Sequence, residues 1–335
     1  MGKRTEVKGK NNKKKRKNKK RIGFKFLLCV LLLLGILGGI FVKRAYDLDW
    51  NWIAAFMGHT RETREKLDRI TVLVMGESGG NTDSIIIVTY DPKIQEAGML
   101  SIPRDTFVGN NRSDAKASNK INSVYHQSPE KVVEAVNKIT GLDIKYYLIF
   151  DTKVLIELVD IIGGVEFEVP IDMKYDDYTQ DLHIDLKQGY QKLNGKQVEQ
   201  LVRFRHNNNG STYPYDYGIE DYGRMKTQRN VAIALAKQTI KLKNVWEIGN
   251  IVDTLSKNVD TNIEVKAVKD YIPYGMEIDL SSIKSTQLPG SDSNNNSSGI
   301  WFFYHDEEKT KAIVEEMFSS NQPSQGEAII TGNRK

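Results

Sequence analysis

Cysteine is almost absent from this chain of 335 residues, and its histidines are isolated from one another. The single cysteine, Cys29, lies in an apolar run near the N-terminus, so the remainder has no thiol for a disulfide or for redox chemistry. The histidines lack the short spacings of metal ligands, which argues against a common zinc motif. A folded domain without disulfides suits the outer face of a bacterium with a single membrane.

A phosphate-binding loop of the usual nucleotide-binding kind is also missing. The stretch GESGGNTDS, residues 76–84, is rich in glycine but lacks the Lys followed by Ser or Thr that a P-loop requires. Charge is distributed unevenly, because 13 of the 48 Lys and Arg lie in residues 1–25 beside one Glu. The rest of the chain therefore has more acidic than basic residues, and the basic character belongs to a tail.

An apolar run follows this basic tail. Residues 26–42 are 17 residues without a charge, at the short end of what spans a bilayer. The run is longer than the core of a usual signal peptide, and VKRAYD offers no cleavage site, so we predict an uncleaved transmembrane anchor. The positive-inside rule then places residues 1–25 in the cytoplasm and everything after Val42 outside. Lys-rich tails also bind nucleic acid, but the position of this one favours the membrane, so no nucleic-acid partner is predicted.

Strand and helix patterns alternate in the following part of the chain. The runs ITVLVMG, SIIIVTYD and AGMLSI are apolar and rich in branched residues, which is typical of strands covered on both faces. Helices are predicted in SPEKVVEAVNKITG, with Ser128 as N-cap and Pro129 at the first helical position, and in TKVLIELVDIIGG. This alternation predicts an α/β domain of three layers, α/β/α.

The predicted domain occupies residues 70–320. A juxtamembrane segment, 43–69, precedes it and has the pattern of a helix, and a disordered tail, 321–335, follows it. From Gly223 to about Phe318 the pattern is mainly helical.

Charged residues lie at the ends of the predicted strands. Asp83 opens the strand SIIIVTY, and Arg104 and Asp105 end the next one in SIPRDT. Ligands of open α/β sheets bind beside strand ends. Two carboxylates from neighbouring strands suit a hard cation such as Mg²⁺ or Mn²⁺, so Asp83 and Asp105 are predicted metal ligands. The structural alternative is that Asp83 caps a turn and Asp105 pairs with Arg104.

Two arginines alternate in LVRFRH. In a strand, Arg203 and Arg205 would share one face about 7 Å apart. Guanidiniums that close favour an anion between them, and Arg binds phosphate through two hydrogen bonds. A solvated strand face is the alternative.

A further arginine lies at a predicted helix start in EDYGRMKTQRN. Gly223 precedes the helix, so Arg224 is expected in its first turn with Gln228 four residues later on the same face. A cation there opposes the helix dipole, and a bound anion would compensate it.

These motifs occur in the order of a known family. The segments SIPRDT, KIN at 120–122, LVDIIGGV, LNGKQVEQLVRFR and DYGRMKTQR resemble the successive motifs of LytR-CpsA-Psr (LCP) proteins over about residues 70–240. The resemblance implies an LCP-type domain with a mixed central sheet. It also implies transfer of an undecaprenyl-pyrophosphate-linked glycopolymer, such as teichoic acid or capsular polysaccharide, to peptidoglycan at the cell membrane of a Gram-positive bacterium.

The resemblance also implies roles for individual residues. Asp83 and Asp105 correspond to carboxylates associated with Mg²⁺, and Asp105 is the preferred base for the acceptor hydroxyl, beside Arg104 as a catalytic cation. The implied pyrophosphate-binding residues are Arg104, Arg203, Arg205, Arg224 and Gln228.

One position departs from the family pattern. The family often has an Arg shortly before the strand-opening Asp, and this chain has Asn81. Either one phosphate contact is missing in this chain, or Lys120 or Arg229 replaces it. Two other functions use the same residues, namely hydrolysis of the lipid pyrophosphate and non-catalytic binding of it by a regulator of wall assembly.

Overall fold

The computed structural model describes residues 36–241, 247–264 and 268–318. Residues up to Lys66 form one unit and residues from Leu67 onward a second. In the first unit, residues 36–47 are helical (α1), and two short helices follow, α2 at Trp52–Phe56 and α3 at Arg61–Glu65. The expected single juxtamembrane helix is therefore wrong, because Asn51 and Thr60 cap two separate helices.

No helix among the described residues is both long and apolar enough to cross a membrane. Most of the predicted anchor, the basic tail at 1–25 and the tail at 321–335 lie outside the described residues.

The second unit begins its first strand at Ile70. Its strands are β1 (Ile70–Ser78), β2 (Asn81–Asp91), β3 (Glu96–Ser101), β4 (Tyr146–Asp151), β5 (Val165–Val169), β6 (Met173–Asp177), β7 (Leu182–Leu186), β8 (Gly189–Leu193), β9 (Asp260–Thr261), β10 (Lys284–Gln287), β11 (Gly290–Ser293) and β12 (Phe302–His305). Its helices include α4 (Ile121–Val124), α5 (Pro129–Thr140), α6 (Thr152–Ile161), α7 (Gly195–Arg203), α8 (Glu220–Thr239), α9 (Ile248–Asn258), α10 (Ile272–Gly275) and α11 (Glu307–Phe318).

Six strands form the central sheet in the order β10-β3-β2-β1-β4-β9. The pairs β1·β2, β2·β3 and β4·β9 are antiparallel, whereas β1·β4 and β10·β3 are parallel. The prediction of an α/β fold with a mixed central sheet is confirmed. The start of α5 is also as predicted, since Ser128 accepts a hydrogen bond from Lys131 N and Pro129 follows it.

The two faces of the sheet bury different side chains. Leu73, Met75, Ile85 and Ile87 belong to a core that includes residues of α5 and α11. The alternate residues on the same strands, such as Ile86, face a cavity bordered by α6 and α8. Helices therefore cover both faces, and the second face leaves room for a ligand.

A second core lies beside the sheet, where the β5–β8 and β6–β7 hairpins pack with α6 and α7. From Gly223 to Phe318 the described regular structure is mainly helical, as predicted, but the four short strands β9, β10, β11 and β12 also lie there and were not predicted. Strands β10 and β11 read KSTQ and GSDS, so apolar alternation could not reveal them.

Candidate active site

A cavity of about 620 Å³ lies between the central sheet and helices α6 and α8. One end is charged, and the rest is lined by apolar side chains. On β2 the lining runs from Asp83 to Val88, a distance of five residue steps or about 17 Å of extended chain. The apolar lining includes Val74, Ile86, Val88, Leu148, Leu155, Leu158, Val231, Leu235 and Leu255, and the charged end includes Glu77, Asp83, Arg104, Arg203, Arg205 and Arg224.

A β-bulge positions Asp83 at the charged end. Gly76 pairs with Ser84 and Glu77 pairs with Thr82, so Asp83 is the extra residue on β2. Bulges redirect a side chain and are common beside active sites. Asp83 Oδ1 accepts a hydrogen bond from Arg104 Nη1 at 2.6 Å. The alternative pairing of Arg104 with Asp105 is therefore not what the structure has.

The Asp83 bond changes the titration of Arg104. Burial acts to lower the pKa of this guanidinium, but the hydrogen bond and charge of Asp83, with help from Asp221 and Asp105, outweigh it. The pKa of Arg104 is therefore raised overall, so this residue stays cationic at the charged end of the cavity.

The expected strand at LVRFRH is wrong, although both arginines line the cavity. Arg203 is the last residue of α7, which begins with a capping box between Asn194 and Gln197, and Arg205 follows in extended chain. The strand prediction did not take this capping box into account, and the box favours a helix over these residues. Arg203 Nη1 donates to Glu199 Oε1 at 3.2 Å, one turn earlier.

Helix α8 begins earlier than expected, at Glu220, so Arg224 lies beyond its first turn. The acidic first turn supplies the partner, because Arg224 Nη2 lies 2.5 Å from Asp221 Oδ1. Arg205 Nε lies 3.5 Å from the same oxygen. The carboxylate of Asp221 therefore pairs with two guanidiniums. The prediction that a bound anion compensates the effect of Arg224 on the helix dipole does not apply, because Asp221 already supplies a negative charge in the first turn. Gln228 is one turn further along the cavity wall, with its amide donating to Val202 O.

Several guanidinium nitrogens at this end are buried without a hydrogen-bond acceptor. They are Arg104 Nε, Arg205 Nε and both Nε and Nη2 of Arg224, whose ion pair with Asp221 lacks hydrogen-bond geometry. Arg224 is 6% exposed, and burial lowers its pKa against the opposing charge of Asp221. Buried donors without acceptors cost free energy, and an anion with several oxygens would relieve that cost.

Asp105, Lys120 and Arg229 lie outside the cavity lining. Asp105 Oδ1 pairs with Lys120 Nζ at 3.0 Å. Arg229 is buried on α8 and donates to the hydroxyls of Ser285 and Ser101, and burial lowers its pKa to about 10. The expectation that Lys120 or Arg229 replaces the missing arginine at position 81 therefore has no support in this arrangement.

Sequence reasoning missed two residues of the charged end. Glu77 is the next-to-last residue of β1 and lines the cavity with Asp83. Gln180, from the β6–β7 turn, accepts a hydrogen bond from Arg203 Nη2 at 3.1 Å. The position of Glu77 at a strand end was a usable signal, whereas the long-range approach of Gln180 was not. Residues 76–80 also spell G-x-S-x-G, but β2 rather than a helix follows Ser78, so this turn is not a nucleophile elbow.

Comparison with known proteins gives consistent results. The chain is 29% identical over 264 residues to the polyisoprenyl-teichoic acid–peptidoglycan teichoic acid transferase TagV of Bacillus subtilis, covering 75% of this chain and 65% of that protein. It is 28% identical over 288 residues to TagU of Bacillus anthracis, which has the same transferase name, covering 79% of this chain and 88% of that protein. The chain thus spans just under two thirds of the first relative's length.

A solved structure supports the same assignment. The crystal structure of Bacillus subtilis TagV superimposes with a TM-score of 0.60 at 27% identity, covering 75% of this chain and 98% of that one. The model of the LytR_cpsA_psr family matches residues 51–319, which include both the central sheet and the charged end of the cavity. The chain therefore belongs to the LytR_cpsA_psr family.

Proposed function

We propose that this protein transfers a polyprenyl-pyrophosphate-linked anionic glycopolymer, such as teichoic acid or capsular polysaccharide, to peptidoglycan. The observation that carries the proposal is that one cavity combines an apolar body with a guanidinium-rich end. A lipid pyrophosphate has the same division, with an apolar chain joined to a polyanion. The names of the TagV and TagU relatives agree with a transferase of this class.

The guanidiniums would bind and neutralise the pyrophosphate. Arg104, Arg205 and Arg224 each have a buried nitrogen without an acceptor, and their present partners are carboxylates that a phosphate can replace. Phosphoryl transfer depends mainly on such charge neutralisation and on positioning. The acceptor hydroxyl oxygen would form a bond to the phosphorus next to the glycan, the bond from that phosphorus to the lipid phosphate would break, and lipid monophosphate would leave.

The proton of the acceptor hydroxyl needs a base near the charged end. Asp105 remains our prediction for this role, since it acts electrostatically on Arg104. Its Oδ1 is engaged by Lys120, so Lys120 would hold the carboxylate in place while the second oxygen accepts the proton.

The carboxylates at the charged end fit a magnesium ion that is shared with substrate. Among the residues that the structure describes, no three His, Cys, Asp or Glu side chains form a metal-binding group. Mg²⁺ that binds phosphates usually takes only one or two carboxylates. Glu77 and Asp83, on paired strands and both in the cavity wall, would supply them, and Asp105 stays a prediction as a ligand. When bound, the ion would stabilise negative charge on the phosphates.

The proposed location follows from the sequence pattern of the N-terminus. Residues 26–42 would anchor the chain in the cell membrane of a Gram-positive bacterium, with residues 1–25 in the cytoplasm and the catalytic domain outside. A lipid-linked substrate and a peptidoglycan acceptor meet on that side of the membrane.

Transfer is tested with the purified full chain in detergent, a lipid-pyrophosphate oligosaccharide, Mg²⁺ and soluble peptidoglycan fragments. Covalent attachment of the oligosaccharide to the fragments, detected by mass spectrometry, is the expected result. Release of free oligosaccharide would identify a hydrolase, and binding without turnover would identify a receptor. Either of those outcomes would overturn the proposal.

A further inference from the structure

We propose that an aromatic surface around Trp301 binds the glycan strand of the acceptor, an inference that rests on the transferase function proposed above. Trp301 is 59% exposed although it lies next to buried Phe302. It ends the connection, residues 294–301, between β11 and β12. The Trp301 patch consists of this side chain and the exposed residues of the same connection, Asn294, Asn295, Ser297 and Ser298.

The patch is joined through β12 to the segment that carries Arg104 and Asp105. Phe303 N donates to Asp105 O at 3.0 Å, and Phe107 N donates to Phe303 O at 2.9 Å. Trp301 is two residues before Phe303, so its Cα lies within about 7 Å of that residue. On the other side of the connection, Asp292 Oδ2 accepts a hydrogen bond of 2.5 Å from Tyr222 Oη. Tyr222 is two residues before Arg224 on α8. The connection is therefore bonded at both ends to segments that carry site residues.

Hydrogen bonds hold the patch in one shape. Ser297 N donates to Ser113 O at 2.9 Å, which joins the connection to the loop at residues 110–114. Asn296 Nδ2 donates to Ile300 O, and Asn296 Oδ1 accepts from Ser298 N. On β12, which follows the connection, the rings of Phe302 and Tyr304 pack with Phe107. A surface fixed in this way loses little conformational entropy when a ligand binds.

The chemistry of the patch suits a sugar chain better than a lipid surface. An exposed indole offers an apolar face to the C–H side of a sugar ring, and asparagine amides and serine hydroxyls donate and accept bonds to sugar hydroxyls. Surfaces that lie on membranes instead combine aliphatic and aromatic side chains with many Lys and Arg. The exposed residues around Trp301 are mainly Asn and Ser.

Substitution of Trp301 tests the patch. Loss of the indole in Trp301→Ala should raise the acceptor KM about tenfold, while kcat and the KM for the lipid-pyrophosphate oligosaccharide change less than about twofold. Trp301→Phe should recover most of the loss. Tyr190→Ala removes another exposed ring, 70% exposed on β8 and outside both the patch and the cavity lining, and should leave all constants unchanged. An unchanged acceptor KM in Trp301→Ala would overturn the proposal.

Direct binding separates this inference from the transferase function. Soluble peptidoglycan glycan fragments are titrated into the full chain without lipid substrate and followed by isothermal calorimetry. Binding that Trp301→Ala weakens about tenfold supports the patch even if the wild type transfers nothing. If the wild type transfers glycan but the wild type and Trp301→Ala bind the fragments equally well, the proposal for the patch is rejected while the transferase function stands. Weaker binding of Trp301→Ala to anionic phospholipid vesicles, with unchanged binding of fragments, would assign the surface to the membrane and overturn the proposal.

Discussion

Arg104 and Asp83 form a hydrogen-bonded ion pair of 2.6 Å at the charged end of an otherwise apolar cavity. Asp83 reaches this position because it is the extra residue of a β-bulge, and Arg104 because β3 ends at Ser101 and a turn at residues 104–105 follows. The pair satisfies each charge in the absence of ligand. A pyrophosphate oxygen that takes the place of Asp83 on Arg104 Nη1 would free this carboxylate, which lines the same cavity as Glu77.

We predict that Asp83→Asn keeps the fold but weakens binding of Mg²⁺ with pyrophosphate on the order of 10- to 100-fold. Asn has nearly the same shape and fits the same bulge position, yet it lacks the negative charge that the cation needs. The measurement is the rise in melting temperature on adding Mg²⁺ and inorganic pyrophosphate together, which should nearly disappear.

Asp105→Asn serves as the matched control. Asp105 pairs with Lys120 and does not line the cavity. If Asp105 is the base and not a metal ligand, this variant should keep the ligand-induced rise while transfer activity collapses. Loss of the rise in Asp105→Asn would instead make Asp105 a ligand of the ion. An undiminished rise in Asp83→Asn would refute the metal assignment, and full transfer by Asp105→Asn would refute the assignment of the base.

Arg203→Ala and Arg205→Ala should separate binding from stability. Each should weaken pyrophosphate binding by about 1 to 3 kcal/mol, as loss of a charged hydrogen-bonding group does. Arg203 also pairs with Glu199, which is 4% exposed and keeps Lys196 as a second partner, so removal of Arg203 should lower the free energy of unfolding by about 1 kcal/mol.

Arg205 is the more exposed of the two, and its nearest acidic oxygen is 3.5 Å away. Its removal should therefore leave the free energy of unfolding close to that of the wild type. Urea unfolding and calorimetric titration with pyrophosphate give the two quantities for each variant. Equal stability of both variants would show that Glu199 does not depend on Arg203.

Asp221→Asn should destabilise the free protein but not abolish ligand binding. Its carboxylate faces both Arg205 and Arg224, and Arg224 is buried. Loss of that charge leaves two guanidiniums uncompensated and should cost about 3 to 5 kcal/mol of unfolding free energy, the usual range for a broken buried pair. Saturating pyrophosphate should restore part of the lost stability, since it supplies the missing negative charge.

Thermal unfolding with and without pyrophosphate measures that restoration. A larger ligand-induced stabilisation in Asp221→Asn than in the wild type is expected. If pyrophosphate stabilised the variant less than it stabilises the wild type, Asp221 would be needed to orient the arginines for the ligand.

Local signals predicted much of this structure, and the failures have physical causes. The apolar runs of β1 and β2 and the capping residues of α5 determine those elements locally, so their prediction succeeded. The residues Arg104, Arg203, Arg205, Arg224 and Gln228 were expected in one site, and all of them line one cavity.

The environment of those residues was harder to predict. The alternation in LVRFRH suggests a strand, but the capping box at Asn194 and Gln197 favours a helix that ends at Arg203. The ion pairs of Asp83 with Arg104 and of Asp221 with Arg205 depend on tertiary packing. The ion-pair partners of the charged residues were therefore not predictable from sequence, whereas the grouping of the four arginines in one cavity was.

The apolar body of the cavity should select for lipid-chain length. Ala236 lies on α8 in the cavity wall, far along the helix from Arg224, and Ala236→Phe would place a ring in space that a prenyl chain would occupy. Because the charged end is untouched, we expect unchanged affinity for inorganic pyrophosphate. Affinity for long-chain prenyl pyrophosphates should fall about tenfold or more, since the ring displaces several methylene groups worth about 0.8 kcal/mol each.

A series of prenyl pyrophosphates of increasing chain length provides the internal control for Ala236→Phe. In the wild type, affinity should rise with each added isoprene unit until the cavity is full, whereas in the variant the rise should stop at a shorter chain. Calorimetric titration at constant detergent concentration measures both curves. Parallel curves for the two proteins would mean that the lipid lies elsewhere, and the match between this cavity and a lipid pyrophosphate, on which the proposed function depends, would then be lost.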